Sequence, residues 1–389
     1  MQKIGILVIS TTIITILITG TLFVLSRIHG EQINSEDNTD DNSNRKNNDN
    51  GLIINKPINQ LTQGAWIPNW GVRSGYESLR RNKEKFDNIS PVLYTPNKDG
   101  TLKNLEQSGH KELLDFLRNN NITIIPSINL TDTSAADTLS QILNNNVSLQ
   151  THIDSIVAEV VNKNFDGIDI DYESIYLDDK NKFLDFLKNL AEVLDTKDKF
   201  LSVTVLAKWG DDIQYTFAPQ THAVEDYREI SEIVDELRIM AYDYTFRNSS
   251  IPGPLAPISW VEEIARYAVK NADRNKVILA ARLYAYDWQY DPANFVKMLP
   301  IDEYKPTDNP TTKAYTYEEV LQIKQKFTGQ DEYDTDIDEN IFKYKDGENY
   351  RIIFYPDTRS INAHKNIAAK YGLKGVMYWR LGGDNGIDF

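Results

Sequence analysis

Cysteine is absent from this chain of 389 residues, and histidine occurs only five times. Without cysteine the chain can form neither a disulfide nor a thiolate-bound metal site. The histidines are scattered and never form the H-E-x-x-H pattern of a zinc site, and the sequence has no glycine-rich phosphate loop or nucleophile elbow. These absences argue against zinc, nucleotide or serine-nucleophile chemistry, and we expect no metal and no cofactor.

Positive charge is also scarce. Lysine and arginine number 42 against 57 aspartate and glutamate residues, which gives a net charge of −15. An acidic surface repels the phosphates of nucleic acid, and no basic stripe offsets that repulsion. We therefore expect no nucleic-acid partner, and a neutral polymer suits this surface better than an anionic one.

Only one long uncharged apolar run occurs, from Ile4 to Leu25. At roughly 20 residues such a run can span the hydrocarbon core of a bilayer as a helix. We expect an N-terminal membrane anchor over residues 1–30, with the rest of the chain outside the cytoplasm. A cleaved signal peptide is the alternative, which would make the protein secreted. The run is longer than the usual apolar region of a signal peptide and lacks an A-x-A-like cleavage site.

A polar, acidic segment follows at residues 31–51, in which Ile33 is the one apolar side chain. Such a segment cannot bury enough surface to offset the entropy of ordering it. We expect a disordered linker there and a folded domain over residues 52–389.

Strand-like apolar runs alternate with helical stretches throughout this domain. Helical spacing is clear in residues 179–194, where apolar side chains recur on one face. Eight alternations predict a (β/α)8 TIM barrel, whereas a doubly wound sheet would not require eight. The eight runs begin near Ala65, Ile89, Ile122, Gly167, Leu201, Leu237, Val277 and Gly375.

The last two predicted strands, at Val277 and Gly375, lie much further apart than the others. The interval contains a helical stretch, Tyr317 to Phe327, and the strand-like pieces IFKY and YRIIFY. It therefore predicts a small α+β insertion after the seventh strand, at about residues 289–350.

The fourth predicted strand, in the segment FDGIDIDYES, carries acids at alternate positions: Asp169, Asp171 and Glu173. Alternation places all three on one side of the strand, toward the barrel axis, and the apolar residues between them on the other. Glu173 comes last, at the C-terminal mouth where barrel active sites lie. Neighbouring carboxyl groups raise one another's pKa, as a general acid requires. A hard-metal site or a solvated strand edge would be the alternatives.

Together with Asp166, these acids form the D-x-x-D-x-D-x-E pattern, which resembles the signature of glycoside hydrolase family 18. That family includes chitinases, endo-β-N-acetylglucosaminidases and spore-cortex-lytic enzymes. The residues Met240 to Asp243 resemble its M-x-Y-D motif, and Trp379 resembles the tryptophan of its eighth strand. The segments FDNISPVLYTPNKDGTL and LYAYDW are similar to its cortex-lytic, peptidoglycan-directed branch.

The resemblance implies a retaining, substrate-assisted mechanism, in which the substrate's own acetamido group is the nucleophile. Glu173 would be the general acid and base, Asp171 would hold the acetamido N–H, and Asp169 would share a proton with Asp171. The resemblance implies further substrate contacts from Tyr242, which would bind the acetamido carbonyl, from Trp379, which would form the floor of the subsite, and from Asp243 and Met240 nearby.

Two more residues, Asn129 and Tyr94, end the third and second predicted strands and are candidates to line the cleft. Asp166 has the opposite strand parity and is expected to be structural. The third strand departs from the S-x-G-G of many chitinases, which weakens a chitin-specific interpretation. Arg282 falls inside the seventh strand, where we expect it to pair with a barrel acid.

The predicted function is an extracytoplasmic glycoside hydrolase that cleaves β-1,4-linked, N-acetylglucosamine-containing polysaccharide, with peptidoglycan favoured. The alternatives are a chitinase or endo-β-N-acetylglucosaminidase acting on chitin or N-glycans, and a non-catalytic sugar-binding protein or a structural wall protein on the same barrel. The presence of Glu173 favours an enzyme, because a protein that only binds sugar does not need the acid.

Overall fold

The computed structural model describes residues 51–131, 133–210, 219–295 and 311–389. The expected anchor at residues 1–30 and all of the acidic linker except Gly51 lie outside these ranges. No helix within them combines the length and the apolar character needed to cross a membrane.

In these ranges the chain forms fifteen strands and ten α-helices. The strands are β1 (Thr62–Ile67), β2 (Asn88–Pro96), β3 (Leu102–Asn104), β4 (Thr123–Ile124), β5 (Ser127–Leu130), β6 (Gly167–Tyr172), β7 (Phe200–Leu206), β8 (Glu236–Met240), β9 (Val277–Arg282), β10 (Tyr284–Gln289), β11 (Lys313–Thr316), β12 (Gly329–Asp334), β13 (Glu339–Asp346), β14 (Asn349–Tyr355) and β15 (Gly375–Trp379). The helices are α1 (Val72–Asn82), α2 (His110–Asn119), α3 (Ala135–Leu143), α4 (Asn146–Asn162), α5 (Lys180–Asp195), α6 (Pro219–Val224), α7 (Tyr227–Ile233), α8 (Ile258–Asn271), α9 (Tyr317–Lys326) and α10 (Thr358–Lys370).

Eight parallel strands close into a barrel within the described residues. Their order is β1, β2, β5, β6, β7, β8, β9 and β15, and β1 pairs with both β2 and β15. The short β4 pairs beside β2, and β3 adds to β2 in antiparallel fashion. The closed barrel with intervening helices confirms the predicted (β/α)8 architecture.

The barrel has two distinct apolar regions. The larger core lies between strands and helices, and α5 packs its predicted face there through Phe183, Leu187 and Leu190. A smaller cluster fills the barrel interior and consists of Trp66, Ile278, Ala280 and Met377, with Tyr242 and Trp379 packed against it. This inner cluster is the apolar surrounding of the acids on β6.

At the base of the barrel, aspartates that precede strands accept backbone hydrogen bonds from neighbouring strands. Asp87 accepts the backbone N–H of Gln63 at 2.8 Å, and Asp166 accepts that of Ile124 at 2.7 Å. Each bond satisfies a donor on the neighbouring strand that would otherwise lack a partner. Asp166 therefore has the structural position that its strand parity indicates.

The insertion is wider than residues 289–350. Its five antiparallel strands run in the order β11, β10, β14, β13 and β12, and α9 joins β11 to β12. The sequence LYAYDW looks like a continuation of the seventh barrel strand, but the chain leaves the barrel at Leu283. From Tyr284 it pairs antiparallel with β11 instead, and from Tyr286 it also pairs with β14. The insertion sheet therefore begins two residues after β9 ends.

We predict that Gly167→Ala destabilises the barrel beside the acid-bearing strand. A Cβ at this position would lie 2.2 Å from the backbone oxygen of Phe200 on β7, so the two strands would have to move apart. Overpacking of this kind costs about 1–3 kcal/mol. The measurement is thermal unfolding, with Gly51→Ala as the control, because nothing lies within 4 Å of a Cβ there. Equal unfolding temperatures for the two variants would contradict the prediction.

Candidate active site

The acids predicted on the fourth barrel strand do line the barrel interior. Asp169 and Asp171 lie on β6 and are 0% and 4% exposed, while Glu173 follows the strand and is half-buried at the C-terminal mouth. The alternation of a strand brings the three to one side, and the residues between them pack into the outer core. The site is thus a column of carboxyl groups that rises from the barrel centre to its mouth.

Asp169 is surrounded by hydrogen-bond donors. Its carboxylate accepts bonds from Ser127 Oγ at 2.6 Å, from Ser202 Oγ at 2.7 Å and from Trp66 Nε1 at 3.1 Å. Thr204 Oγ1 donates at 3.1 Å, and the Arg238 guanidinium lies 3.4 Å away. Trp66 and Arg238 can only donate, so this environment requires a carboxylate that accepts.

Asp171 has a different environment. Asn129 Nδ2 donates to its Oδ2 at 2.8 Å, while its buried Oδ1 has no partner within the described part of the chain. Burial raises the pKa of Asp171 well above its ordinary value, and the nearby charges of Glu173 and Asp169 raise it further. These effects favour the protonated form of Asp171, and one of its oxygens stays available at the site. Asn129 lies at the site, as its position at the end of the third barrel strand indicates.

Glu173 is tuned toward a general acid. Burial, followed by the charge of Asp243, raises its pKa to about 7. A carboxyl group in this range can donate a proton near neutral pH and take it back, which is what acid-base catalysis requires.

Tyr242 and Asp243 follow β8 and face the same mouth. Asp243 adopts a positive φ of 62° and accepts hydrogen bonds from the hydroxyls of Tyr284 and Tyr286, the latter at 3.3 Å. Burial raises the pKa of Asp243 to about 6, and burial raises the pKa of the Tyr242 phenol well above its ordinary range. The Tyr242 hydroxyl is therefore a neutral hydrogen-bond donor at physiological pH.

Trp379 ends β15 beside the acid column. Its ring meets that of Trp66 edge-on, with 6.2 Å between centroids, and both contact the inner apolar cluster. Met240, at the end of β8, is half-buried, and the register places it level with Met377, two residues before Trp379. Trp379 is partly exposed, so it presents an aromatic surface at the mouth.

Tyr94 does not line the cleft, contrary to the expectation from its place at the end of the second predicted strand. Its side chain is 1% exposed, packs in the outer core and donates a hydrogen bond of 2.7 Å to Glu159 on α4. The pairing of β2 with β5 shifts register between Val92 and Tyr94. A bulge of this kind reverses the side on which the following residues point, and simple alternation does not predict it.

Arg282 pairs with the insertion and not with a barrel acid. Its Nη2 lies 2.5 Å from Glu339 on β13, and Glu339 also accepts the backbone N–H groups of Leu255 and Ala256. The ion pair is almost fully buried. It fastens β9, the loop after β8 and the insertion sheet to one another just outside the site.

Several residues of the site were not anticipated from the sequence. Tyr284 and Tyr286 come from the insertion, and Glu225 lies between α6 and α7. Glu225 is 1% exposed and accepts the backbone N–H of Leu206 at 2.9 Å. Burial raises its pKa to about 8, although the Leu206 hydrogen bond and the charge of Lys208 oppose that rise. No motif marks Glu225, because its position depends on how two helices meet.

The alternative of a metal site finds no support in the described residues. Among them no group of three or more histidine, aspartate or glutamate side chains is arranged to hold a metal ion. The column of carboxyl groups instead finds its partners among protein hydrogen-bond donors.

A carboxylic acid with a pKa near 7 at the mouth of a (β/α)8 barrel, next to a second buried carboxyl and a neutral phenol, is the arrangement that an acid-dependent glycosidase requires. Sequence comparison agrees with this class. Residues 66–384 match the family described as Glycosyl hydrolases family 18, and the chain belongs to that family.

Relatives and solved structures of similar fold include cortex-lytic enzymes and chitinases. The cortical fragment-lytic enzyme of Bacillus subtilis (strain 168) is 26% identical over 281 residues, which cover 69% of this chain and 59% of the relative. The cortical fragment-lytic enzyme of Bacillus anthracis is 25% identical over 287 residues, which cover 73% of this chain and 62% of the relative. The chain thus spans about six tenths of the length of these curated relatives.

Among solved structures, a chitinase from Chromobacterium violaceum ATCC 12472 superposes with a TM-score of 0.71 at 21% identity, covering 84% of this chain and 95% of that one. The Bacillus cereus spore cortex-lytic enzyme SleL superposes with a TM-score of 0.70 at 22% identity, covering 83% of this chain and 71% of that one. These superpositions show the shared barrel fold.

We predict that Glu173→Gln abolishes most of the activity without unfolding the protein. The amide keeps the size of the side chain but cannot donate the proton, and general acid-base help is worth about 10² to 10⁴ in rate. The measurement is hydrolysis of a chromogenic N-acetylglucosamine oligomer. The control is Glu192→Gln, the same change on the exposed side of α5, which should leave the rate unchanged. Undiminished turnover by the Glu173→Gln variant would show that Glu173 is not the general acid.

We also predict that Glu225 makes the fold less stable in alkali. Its pKa is about 8 in the folded state against an ordinary value of 4.5, so folding takes up a proton between these values. The protonated Glu225 stabilises the fold fully below pH 4.5. This contribution to the free energy of unfolding is lost as the pH rises toward 8, at about 1.4 kcal/mol per pH unit.

Glu225→Gln should therefore gain stability relative to the wild type between pH 6 and pH 9, by on the order of 2 kcal/mol. Urea unfolding at both pH values measures the difference, and Glu232→Gln on the exposed side of α7 serves as the control. A Glu225→Gln variant whose stability changes with pH in parallel with the wild type would contradict the assignment.

Proposed function

We propose that this glycosidase cleaves β-1,4 bonds of N-acetylglucosamine-containing polysaccharide by a retaining mechanism in which the substrate's acetamido group is the nucleophile. The observation that carries the proposal is Asp171, a buried carboxyl with a raised pKa that lies beside the acid Glu173 and has one oxygen without a partner among the described residues. Such a group suits holding an amide N–H and does not suit attack on a sugar carbon.

The proposal rests on the absence of a suitable protein nucleophile among the described residues near Glu173. Asp171 lies two positions earlier along the chain, a rise of roughly 6.6 Å, beneath Glu173 on the same side of the cleft. A nucleophile must reach the sugar from the opposite face. Asp243 accepts the hydroxyls of Tyr284 and Tyr286, so its oxygens are engaged. The nucleophile must then come from the substrate.

In the first step Glu173 donates its proton to the glycosidic oxygen, and the bond from that oxygen to the anomeric carbon breaks. The acetamido carbonyl oxygen forms the new bond to the same carbon, while Asp171 accepts the acetamido N–H and the Tyr242 hydroxyl donates to the acetamido oxygen. In the second step the Glu173 carboxylate takes a proton from water. That water then attacks the anomeric carbon and displaces the acetamido oxygen from it. Two successive displacements at this carbon retain its configuration.

Peptidoglycan is the proposed substrate. Two of the relatives are cortical fragment-lytic enzymes, and that name describes the lysis of cortical fragments. Chitin or the core of an N-glycan is the second candidate, because structures of chitinases share the fold to the same degree. Asn129, which bonds Asp171 where many chitinases have glycine, favours the first candidate.

We place the catalytic barrel outside the cytoplasm, held by a single membrane-spanning segment at residues 4–25. The support is the uncharged apolar sequence of that segment and the location of the proposed substrate. Cleavage of the segment would instead release a secreted enzyme.

We predict that the wild-type enzyme hydrolyses the N-acetylated polymer and leaves the fully de-N-acetylated polymer intact, because only the former carries the nucleophile. Products are measured by mass spectrometry from purified peptidoglycan, colloidal chitin and the de-N-acetylated forms of both. The first product, followed by proton NMR at early times, should keep the β configuration.

Peptidoglycan fragments that form faster than chitin fragments would support the first substrate, and the reverse order would support the second. Efficient cleavage beside a glucosamine without its acetyl group, or an inverted first product, would refute the mechanism.

A further inference from the structure

A buried arginine lies beneath the catalytic carboxyl groups, and the mechanism above does not use it. Arg238 is on β8 and is 0% exposed. Its Nη1 donates to Ser90 Oγ at 2.8 Å and lies 3.4 Å from Asp169 Oδ1. Its guanidinium carbon lies 5.8 Å from the ring centroid of Trp66. An arginine at the centre of a barrel is costly unless every side of it is paired.

Glu236 provides the other pairing. Two residues before Arg238 on the same strand, it accepts Arg238 Nε at 3.1 Å and approaches Nη2 at 3.0 Å. Its second oxygen lies 2.8 Å from Lys374 Nζ, which is partly exposed at the base of the barrel. A chain of alternating charge therefore runs upward from solvent through Lys374, Glu236 and Arg238 to Asp169.

The chain of charges ends at the catalytic groups. Above Asp169 come Asp171 and then Glu173, and among the residues that the structure describes the other charged groups that act on Glu173 and Asp171 are Asp243 and Glu225. Both of these are acids. Within the described part of the chain, Arg238 is thus the cation in direct contact with the column, and it contacts Asp169 alone among its members.

The hydrogen bonds around Asp169 show which of the two barrel aspartates carries the negative charge. Asp169 accepts from Trp66 Nε1 and faces Arg238, two groups that can only donate. Asp171 has a single donor, Asn129, and one oxygen without a partner in the described residues. A proton placed on Asp169 would compete with Trp66 and Arg238, neither of which can accept it, whereas on Asp171 it meets no such conflict.

We propose that Arg238 is a positioning residue that fixes Asp169 as the permanent carboxylate and thereby assigns the proton of the Asp169–Asp171 pair to Asp171 before substrate binds. Glu236 modulates this effect by sharing the charge of Arg238. The proposal rests on the proposed function, because it concerns the proton that Asp171 carries while it holds the acetamido group.

The test is the pH dependence of kcat/KM for a chromogenic N-acetylglucosamine oligomer, compared among variants of the charge chain. Removal of the acid in Glu236→Gln leaves the positive charge of Arg238 less compensated, so the alkaline limb should move to lower pH. Removal of the cation in Arg238→Gln should move it to higher pH. We expect shifts of about half a pH unit or more in these opposite directions.

Three controls separate positioning from packing. Arg238→Lys keeps the positive charge, so the alkaline limb of kcat/KM should stay at the wild-type pH even if kcat falls. Glu232→Gln, an exposed change of the same charge, should move the limb by less than about 0.2 unit because solvent screens it. Thermal unfolding of each variant reports any purely structural loss, which would lower the unfolding temperature and leave the limb in place.

If Arg238→Gln does not fold, Glu236→Gln decides the question, because Lys374 can then be solvated and Arg238 retains Ser90 and Asp169. An alkaline limb in Glu236→Gln that coincides with the wild type would overturn the proposal. A wild-type enzyme that cleaves no N-acetylated oligomer would instead overturn the proposed function, so the two failures are distinguishable.

Discussion

The confinement of several carboxyl groups inside one parallel barrel is the constraint on which the rest of this structure depends. Asp169 is fully buried and is kept as an anion by donors from three other strands and by Arg238. With that charge fixed at the centre, the next carboxyl, Asp171, cannot ionise without strong repulsion. Glu173, nearer the mouth, is raised only to a pKa of about 7. One column thus places three carboxyl groups in three different environments, distinguished by depth and partners.

The same confinement explains why the site draws on so many elements. A buried carboxylate needs more donors than one strand can offer, because side chains on a strand alternate between two faces. Ser127, Ser202 and Trp66 come from β5, β7 and β1. The parallel register brings them to one level, since Ser127 and Ser202 both pair directly opposite Asp169. Barrel closure and carboxylate stabilisation are therefore the same structural requirement.

Most of the barrel and the core of the site could be predicted from sequence, because both depend on local periodicity. Alternate acids in FDGIDIDYES indicate a strand with one polar face, and that face lies inside the barrel. Tyr94 fails the same rule because a register shift in β2 reverses its direction. Arg238 and Glu225 were missed because their importance arises from contacts between distant segments, such as the 3.4 Å approach of Arg238 to Asp169. Nothing in the composition or spacing of either segment marks such a contact.

The start of the insertion sheet so soon after β9 also limits how this enzyme can be rebuilt. β10 carries Tyr284 and Tyr286 directly onto Asp243, and Glu339 of β13 reaches back to Arg282 in the barrel wall. The insertion is therefore not an exchangeable cassette. A hybrid whose grafted segment lacks these three side chains would lose two phenols from the catalytic mouth and leave a buried guanidinium without its counter-ion. Recombination among such proteins should conserve the barrel and its insertion together, as a single heritable unit.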